Sequence, residues 1–246
     1  MSALIGQALS PFRSLRIVAM HLVLNASLVV AGSYWLLVPE ARIWQLAFSG
    51  ISALLIVCLF LWLHSGTLVY AARKDFRDAF SFKPVRWVSL FLGLTILVWL
   101  MFQFTAVSGS QWQIGGYLYS KAPSWLRPTR GSIAYVHGVR YFLSIMTWCV
   151  LPGLILPVTA ARVVGGKLKT ALRAILSWNY WLALAGTTFL GVWVVKALLA
   201  WTPGTTLHQQ TGGLVVRLVI VYLAATAAWL LTVGLLGYFV APSEEF

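Results

Sequence analysis

Acidic residues are nearly missing from this chain. Of 246 residues only Glu40, Asp75, Asp78, Glu244 and Glu245 are acidic, and none falls inside an apolar run. Proton relays and cation paths through membranes are ordinarily built on carboxylates at membrane depth, so proton- or sodium-coupled transport lacks its usual parts. Cysteine is scarce as well. Cys58 and Cys149 both sit in apolar stretches, outside any Cys-x-x-Cys or Cys/His spacing, which leaves no metal centre to propose. A thiol in such a place behaves as a small buried hydrophobe. No nucleophilic serine motif, phosphate-binding loop or metal-ligand spacing occurs, so no catalytic residue can be named. Also missing is any polar tract long enough for a separate soluble domain.

What is present is apolar. Hydrophobic residues make up 60% of the chain and charged ones 9%, where soluble chains carry roughly 25% charged residues. Mean hydropathy is +0.86. Apolar runs of about 20 residues recur, each long enough to cross a ~30 Å hydrocarbon core. Backbone groups in lipid must be satisfied within their own segment, so these runs are expected to be helices. The predicted fold is an all-α, polytopic membrane helix bundle with six transmembrane helices. The spans are placed at 17–38, 44–70, 87–107, 134–160, 178–201 and 214–240 of one membrane domain, 1–246. Span 1 is read as a retained anchor. Pro152 and Pro157 should bend span 4, and the turn-rich residues 108–133 read as the longest loop.

Basic residues set the orientation. Arg13, Arg16, Arg73, Lys74, Arg77, Lys83, Arg86, Arg162, Lys167, Lys169 and Arg173 fall on one side of the spans. Arg42, Lys121, Arg127 and Arg130 fall on the other. Lys and Arg favour cytoplasmic flanks, so both termini are expected in the cytoplasm of a bacterial cytoplasmic membrane. The net charge of +13 therefore serves topology and headgroup contact. Without a basic soluble module, no nucleic-acid partner is expected.

Two basic stretches share a pattern: AARKDFRDAFSFKPVR at 71–86 and AARVVGGKLKTALRAILS at 160–177. Ala71-Ala72-Arg73 aligns with Ala160-Ala161-Arg162, and Ala79-Phe80 with Ala171-Leu172. Each stretch joins two spans and leads to a tryptophan, Trp87 or Trp178. Equal order and direction suggest a parallel internal repeat with units 44–107 and 134–201. Apolar and basic residues interleave, which predicts two short interfacial amphipathic helices at 72–82 and 163–175. Their candidate lipid contacts are Arg73, Lys74, Arg77, Lys167, Lys169 and Arg173. The pairing of spans through an Ala-rich basic stretch resembles the membrane domain of bacterial glycerophosphodiester phosphodiesterases and related uncharacterised six-helix membrane families. The resemblance covers residues 50–240 and implies a helical membrane fold. No tract here corresponds to those enzymes' hydrolase domain, so no catalytic residue carries over.

Polar residues within the spans are the remaining candidates. His21 and Asn25 lie one helical turn apart, with His64 at similar depth. The two histidines raise a haem-ligand reading, set against plain interhelical hydrogen bonding, which is favoured; no cofactor is expected. Arg140, Lys196 and Arg217 near the outer ends of spans 4, 5 and 6 could form a pocket for an anionic lipid or metabolite, or snorkel independently. Asp75 and Asp78, beside Arg73, Lys74 and Arg77, are expected to form ion pairs rather than bind metal. His137 and His208 have no nearby acid to orient them. The favoured function is a non-enzymatic scaffold or assembly partner bound to lipids and other membrane proteins. It is supported by small residues for close helix packing at Gly186, Gly191, Gly234 and Gly237. The alternatives are a permease or lipid-handling protein using the basic pocket, and a lipid-modifying enzyme.

Overall fold

The computed structural model describes residues 2–39, 42–128, 131–201, 204 and 206–241, apart from the side chains of 2–4, 207 and 208. Glu40, Arg130, the tail with Glu244 and Glu245, and the His208 side chain lie outside that description. In chain order the helices are α1 Ser2–Ala8, α2 Leu15–Trp35, α3 Ile43–Arg73, α4 Phe76–Ala79, α5 Pro84–Ser108 and α6 Gln111–Lys121. They continue with α7 Ser132–Ile145, α8 Leu151–Val164, α9 Leu168–Leu176, α10 Trp178–Thr188, α11 Val195–Ala200 and α12 Leu207–Val240. Short 3-10 turns occupy Ser10–Arg13 and Ser124–Leu126. No strand occurs among the described residues, and six helical segments are long and apolar enough to cross a membrane. The protein is an all-α integral membrane protein.

Two compact units divide the chain: Met1–Phe91 with Pro157–Phe246, and Leu92–Leu156. The division falls inside both expected repeat units. In the first unit the buried side chains gather at one end of the helices. They include Ile17 and His21 on α2, Leu61 to Ala71 on α3, Ala160 to Val164 on α8, Tyr180 and Leu184 on α10, and Leu230 to Val240 on α12. This is the end that carries the eleven basic residues. Glycines permit the close approaches there. An added Cβ on Gly237 would sit 2.7 Å from the Ala71 Cβ, and one on Gly234 would strike the Ala8 backbone. In span 5 a Cβ on Gly191 would come 3.1 Å from Ala228, whereas Gly186 faces open space.

Helix ends follow local chemistry. Ser14 caps α2 by accepting from the Ile17 amide, and Gln45 reaches back to the Arg42 amide at the start of α3. α3 stops at Lys74, whose backbone turns left-handed with φ of 59°. Its ammonium donates to the Ala71 carbonyl at 2.8 Å and to Ser10 Oγ. α8 stops at Gly165, with φ of 77°, where the Gly166 amide returns to the Ala161 carbonyl at 2.7 Å. Such a left-handed residue satisfies carbonyls that the last helical turn leaves open.

Three expectations need correction. Ala72 and Arg73 continue the span-2 helix, so the first interfacial helix shrinks from 72–82 to the single turn α4. Val163 and Val164 likewise belong to α8, and the second interfacial helix is α9 rather than 163–175. Residues 111–121 form α6 instead of loop, because Gly115 lets that helix lie directly on Val136 of α7. Span 4, expected to bend in its lower half, departs from regular α-helix there. Pro152 offers no N–H to the carbonyl four residues back, and the helix widens to a π turn over Met146–Val150 just before it. A second π turn, Phe189–Val194, interrupts span 5 around Gly191. In the second unit, Arg127 donates to the Ala122 and Ser120 carbonyls and so closes the end of α6.

Candidate functional site

Three places in the first unit gather polar or unusual groups. The first is buried between α2, α3 and α12. Thr67 donates its hydroxyl to the Leu63 carbonyl at 2.7 Å, so its oxygen accepts from His21 Nε2 at 2.8 Å. That places the proton of His21 on Nε2, and Nδ1 accepts from Asn25 Nδ2 at 2.9 Å. Tyr222 Oη holds the carbonyls of His21 and Leu22 at 3.0 and 2.8 Å. The His64 ring meets the rings of His21, Phe60 and Trp229 at 5.3, 4.2 and 5.1 Å between centroids. His64 Nδ1 and Trp229 Nε1 are buried without a partner among the described residues. These residues do not fit a haem. Both His21 nitrogens are engaged, and the two imidazoles meet edge to face with no slot for a macrocycle between them. The expected interhelical hydrogen bonding is present; Thr67 and Tyr222 join it unforeseen, and Trp229 adds only a ring contact with His64.

The second place is the basic end. Asp78 receives Lys83 at 2.7 Å, Arg86 at 3.0 Å and Arg73 at 3.1 Å. Hydrogen bonding from Lys83, reinforced by Arg86, pulls its carboxyl down to about 2 against a smaller opposing effect of burial. Arg86 is buried and also donates to the Asp78 carbonyl at 2.6 Å. Arg73 reaches further and donates to the Val164 carbonyl at the end of α8. The first basic stretch thereby closes the helix that leads into the second. Asp75 accepts from the Arg77 and Asp78 amides and caps α4. Burial, with the charge of Arg13 adding to it, holds the Lys74 ammonium below its ordinary range. Ion pairing at Asp78 was expected, but its partners differ: Lys83 and Arg86 replace Lys74 and Arg77. No group of metal-ligating side chains occurs among the described residues.

The third place is apolar. α2 and α3 are tied at one level by His21 and Thr67. At another, Trp35 Nε1 donates to the Ser49 carbonyl and Oγ, both at 3.0 Å. Between these ties lies a cleft of about 370 Å³ lined by Leu24, Ser27, Leu28, Ala31, Tyr34, Trp35, Val38, Phe48, Ser52, Leu55, Ile56 and Leu59. Nothing in composition announced it, because its walls are ordinary span residues.

The outer basic trio is placed as follows. Arg217 donates to the Leu199 carbonyl at 3.1 Å and to the Trp201 carbonyl, and so closes the end of α11. Its Nε is buried without a partner among the described residues. Lys196 is exposed on α11 in the same unit, and Arg140 is exposed on α7 in the second unit. All six predicted lipid contacts are exposed, but Arg73 and Lys74 are also tied to the fold through the Val164 carbonyl and Ser10.

Fold and site together define a helical integral membrane protein with a closed basic end and an open apolar cleft. No family model matches the chain, and comparisons with curated proteins and with solved structures give no match.

Proposed function

We propose that the chain is a non-enzymatic scaffold, a multi-pass protein of the bacterial cytoplasmic membrane that assembles with other membrane proteins. Both termini are assigned to the cytoplasm on the eleven-to-four distribution of Lys and Arg. The observation that carries the reading is unequal packing along the first unit. Its basic end closes on buried small residues and on ties such as Arg73 to Val164. Away from that end, α2 and α3 enclose the apolar cleft, and Val29, Val30, Leu54 and Leu55 remain exposed. Helix association in lipid depends on shape fit rather than on a hydrophobic driving force, and a groove with rigid aromatic walls supplies shape. Arg217, already holding two helix-end carbonyls, draws support away from the lipid-handling alternative with Arg140 and Lys196.

A photoreactive residue placed at Phe48 or Ser52 in native membranes tests the reading. Discrete protein adducts are expected from these positions and not from Ile96, an exposed residue of the second unit. Lipid adducts alone, or an identical protein pattern from all three positions, would remove its support.

A further inference from the structure

The two basic stretches are alike in sequence but differ in what their charges meet. In the first, one carboxylate gathers Arg73, Lys83 and Arg86, and Lys74 is held by Ser10 and the Ala71 carbonyl. The second, 160–177, contains no acidic residue. Arg162, Lys167, Lys169 and Arg173 are all exposed, and none joins an ion pair among the described residues.

The geometry of α9 gives these free cations a setting. Ala171 and Ala174 are fully buried and seat the helix on the bundle, where α9 packs against α12. Leu168, Leu172 and Leu176 are 44%, 50% and 85% exposed. Spaced four apart, they form one stripe along the helix. Lys169 and Arg173 each follow a stripe leucine by one residue, roughly 100° further round. Going around α9, the order is bundle face, leucine stripe, basic stripe. The helix lies between the inner ends of two spans, at the level where chains leave the hydrocarbon. An apolar stripe there enters the acyl boundary while Lys and Arg extend to the phosphates.

We propose that α9, with Lys167 at its start, is a binding site for anionic phospholipid headgroups, whereas its counterpart in the first stretch is closed by Asp78. Charge complementarity selects the class: cations without carboxylates suit a phosphodiester, which Arg binds through paired hydrogen bonds. A soluble polyanion such as RNA or an acidic protein would leave the leucine stripe in water. A lipid leaflet covers both stripes at once. The proposal holds whether or not a protein occupies the α2–α3 cleft.

The test uses the full chain purified with equal amounts of phosphatidylglycerol and phosphatidylcholine, with retained lipids counted by native mass spectrometry. The wild type is expected to retain phosphatidylglycerol preferentially, and less of it as salt rises. K169Q/R173Q should lose that retention by roughly fivefold per charge removed, while K121Q, which removes an exposed cation of the second unit, leaves it unchanged. Equal retention of the two lipids by the wild type, wild-type retention by K169Q/R173Q, or an equal loss in K121Q overturns the proposal. If K169Q/R173Q does not fold, a photoreactive residue at Leu172 decides. Preferential phosphatidylglycerol adducts are expected there; equal adducts with both lipids, or protection by added RNA, overturn it.

Discussion

Asp78 faces three cations, yet only Arg86 among them is buried, so the three pairs differ in weight. Exposed pairs such as the one with Lys83 contribute little, about 0–1 kcal/mol. Removing the partner of a buried charge costs roughly 3–5 kcal/mol. D78N is therefore expected to destabilise the protein by about 3 kcal/mol, near the low end because Arg86 keeps its bond to the residue-78 carbonyl. The acid dependence follows from the depressed carboxyl. Its folded pKa of about 2 lies below the unfolded value of roughly 3.9, so its contribution is fully present above the unfolded value and lost as pH falls through the folded one. In nanodiscs the wild-type melting temperature should hold down to about pH 4 and then decline, with D78N lacking that decline. Parallel acid curves for the two proteins would refute the assignment. Thr67 offers a second residue-level test. T67V removes the acceptor of a buried His21 N–H, which costs about 1–3 kcal/mol and should appear as a lower melting temperature with unchanged helicity.

Among the helices, close approach divides the glycines into two kinds. At Gly237 a methyl would press on Ala71 at 2.7 Å and on its carbonyl carbon at 2.8 Å, and overpacking of that sort costs about 1–3 kcal/mol. At Gly186 nothing lies within 4 Å, and a helical Gly to Ala change gains roughly 0.5–1 kcal/mol. G237A should thus melt below the wild type and G186A at or above it. Thermal scans that reverse the order would mean that span 6 does not pack on α3 as described. Both glycines occupy apolar runs and read alike in sequence; only the neighbouring helix tells them apart. The same holds for the expected interfacial helices. Their basic-apolar interleaving was legible, but their starts were not, since the helix ends depend on Lys74 and Gly165 turning left-handed.

For the molecule as a whole, orientation remains the boldest expectation. A reporter fused after Phe246 should register in the cytoplasm and one inserted near Ser120 on the opposite side. A periplasmic signal from the C-terminal fusion would reverse the assignment of every loop. Within the first unit, the helix ends flanked by the basic residues hold nearly all of the buried side chains, and the other halves of these helices are mostly exposed.

Six spans, their helical form and the basic side were readable from residues alone, because a bilayer imposes length, internal hydrogen bonding and charge placement on each segment separately. Those constraints are local, so one chain read in order suffices. Relations between segments were not readable in that way. Arg73 closing α8 at Val164, Lys74 reaching Ser10, Arg86 finding Asp78 and Trp35 pinning Ser49 all depend on which faces meet. Apolar spans look equally apolar on every side, and the positions at which they touch are chosen by packing, which only the tertiary structure decides.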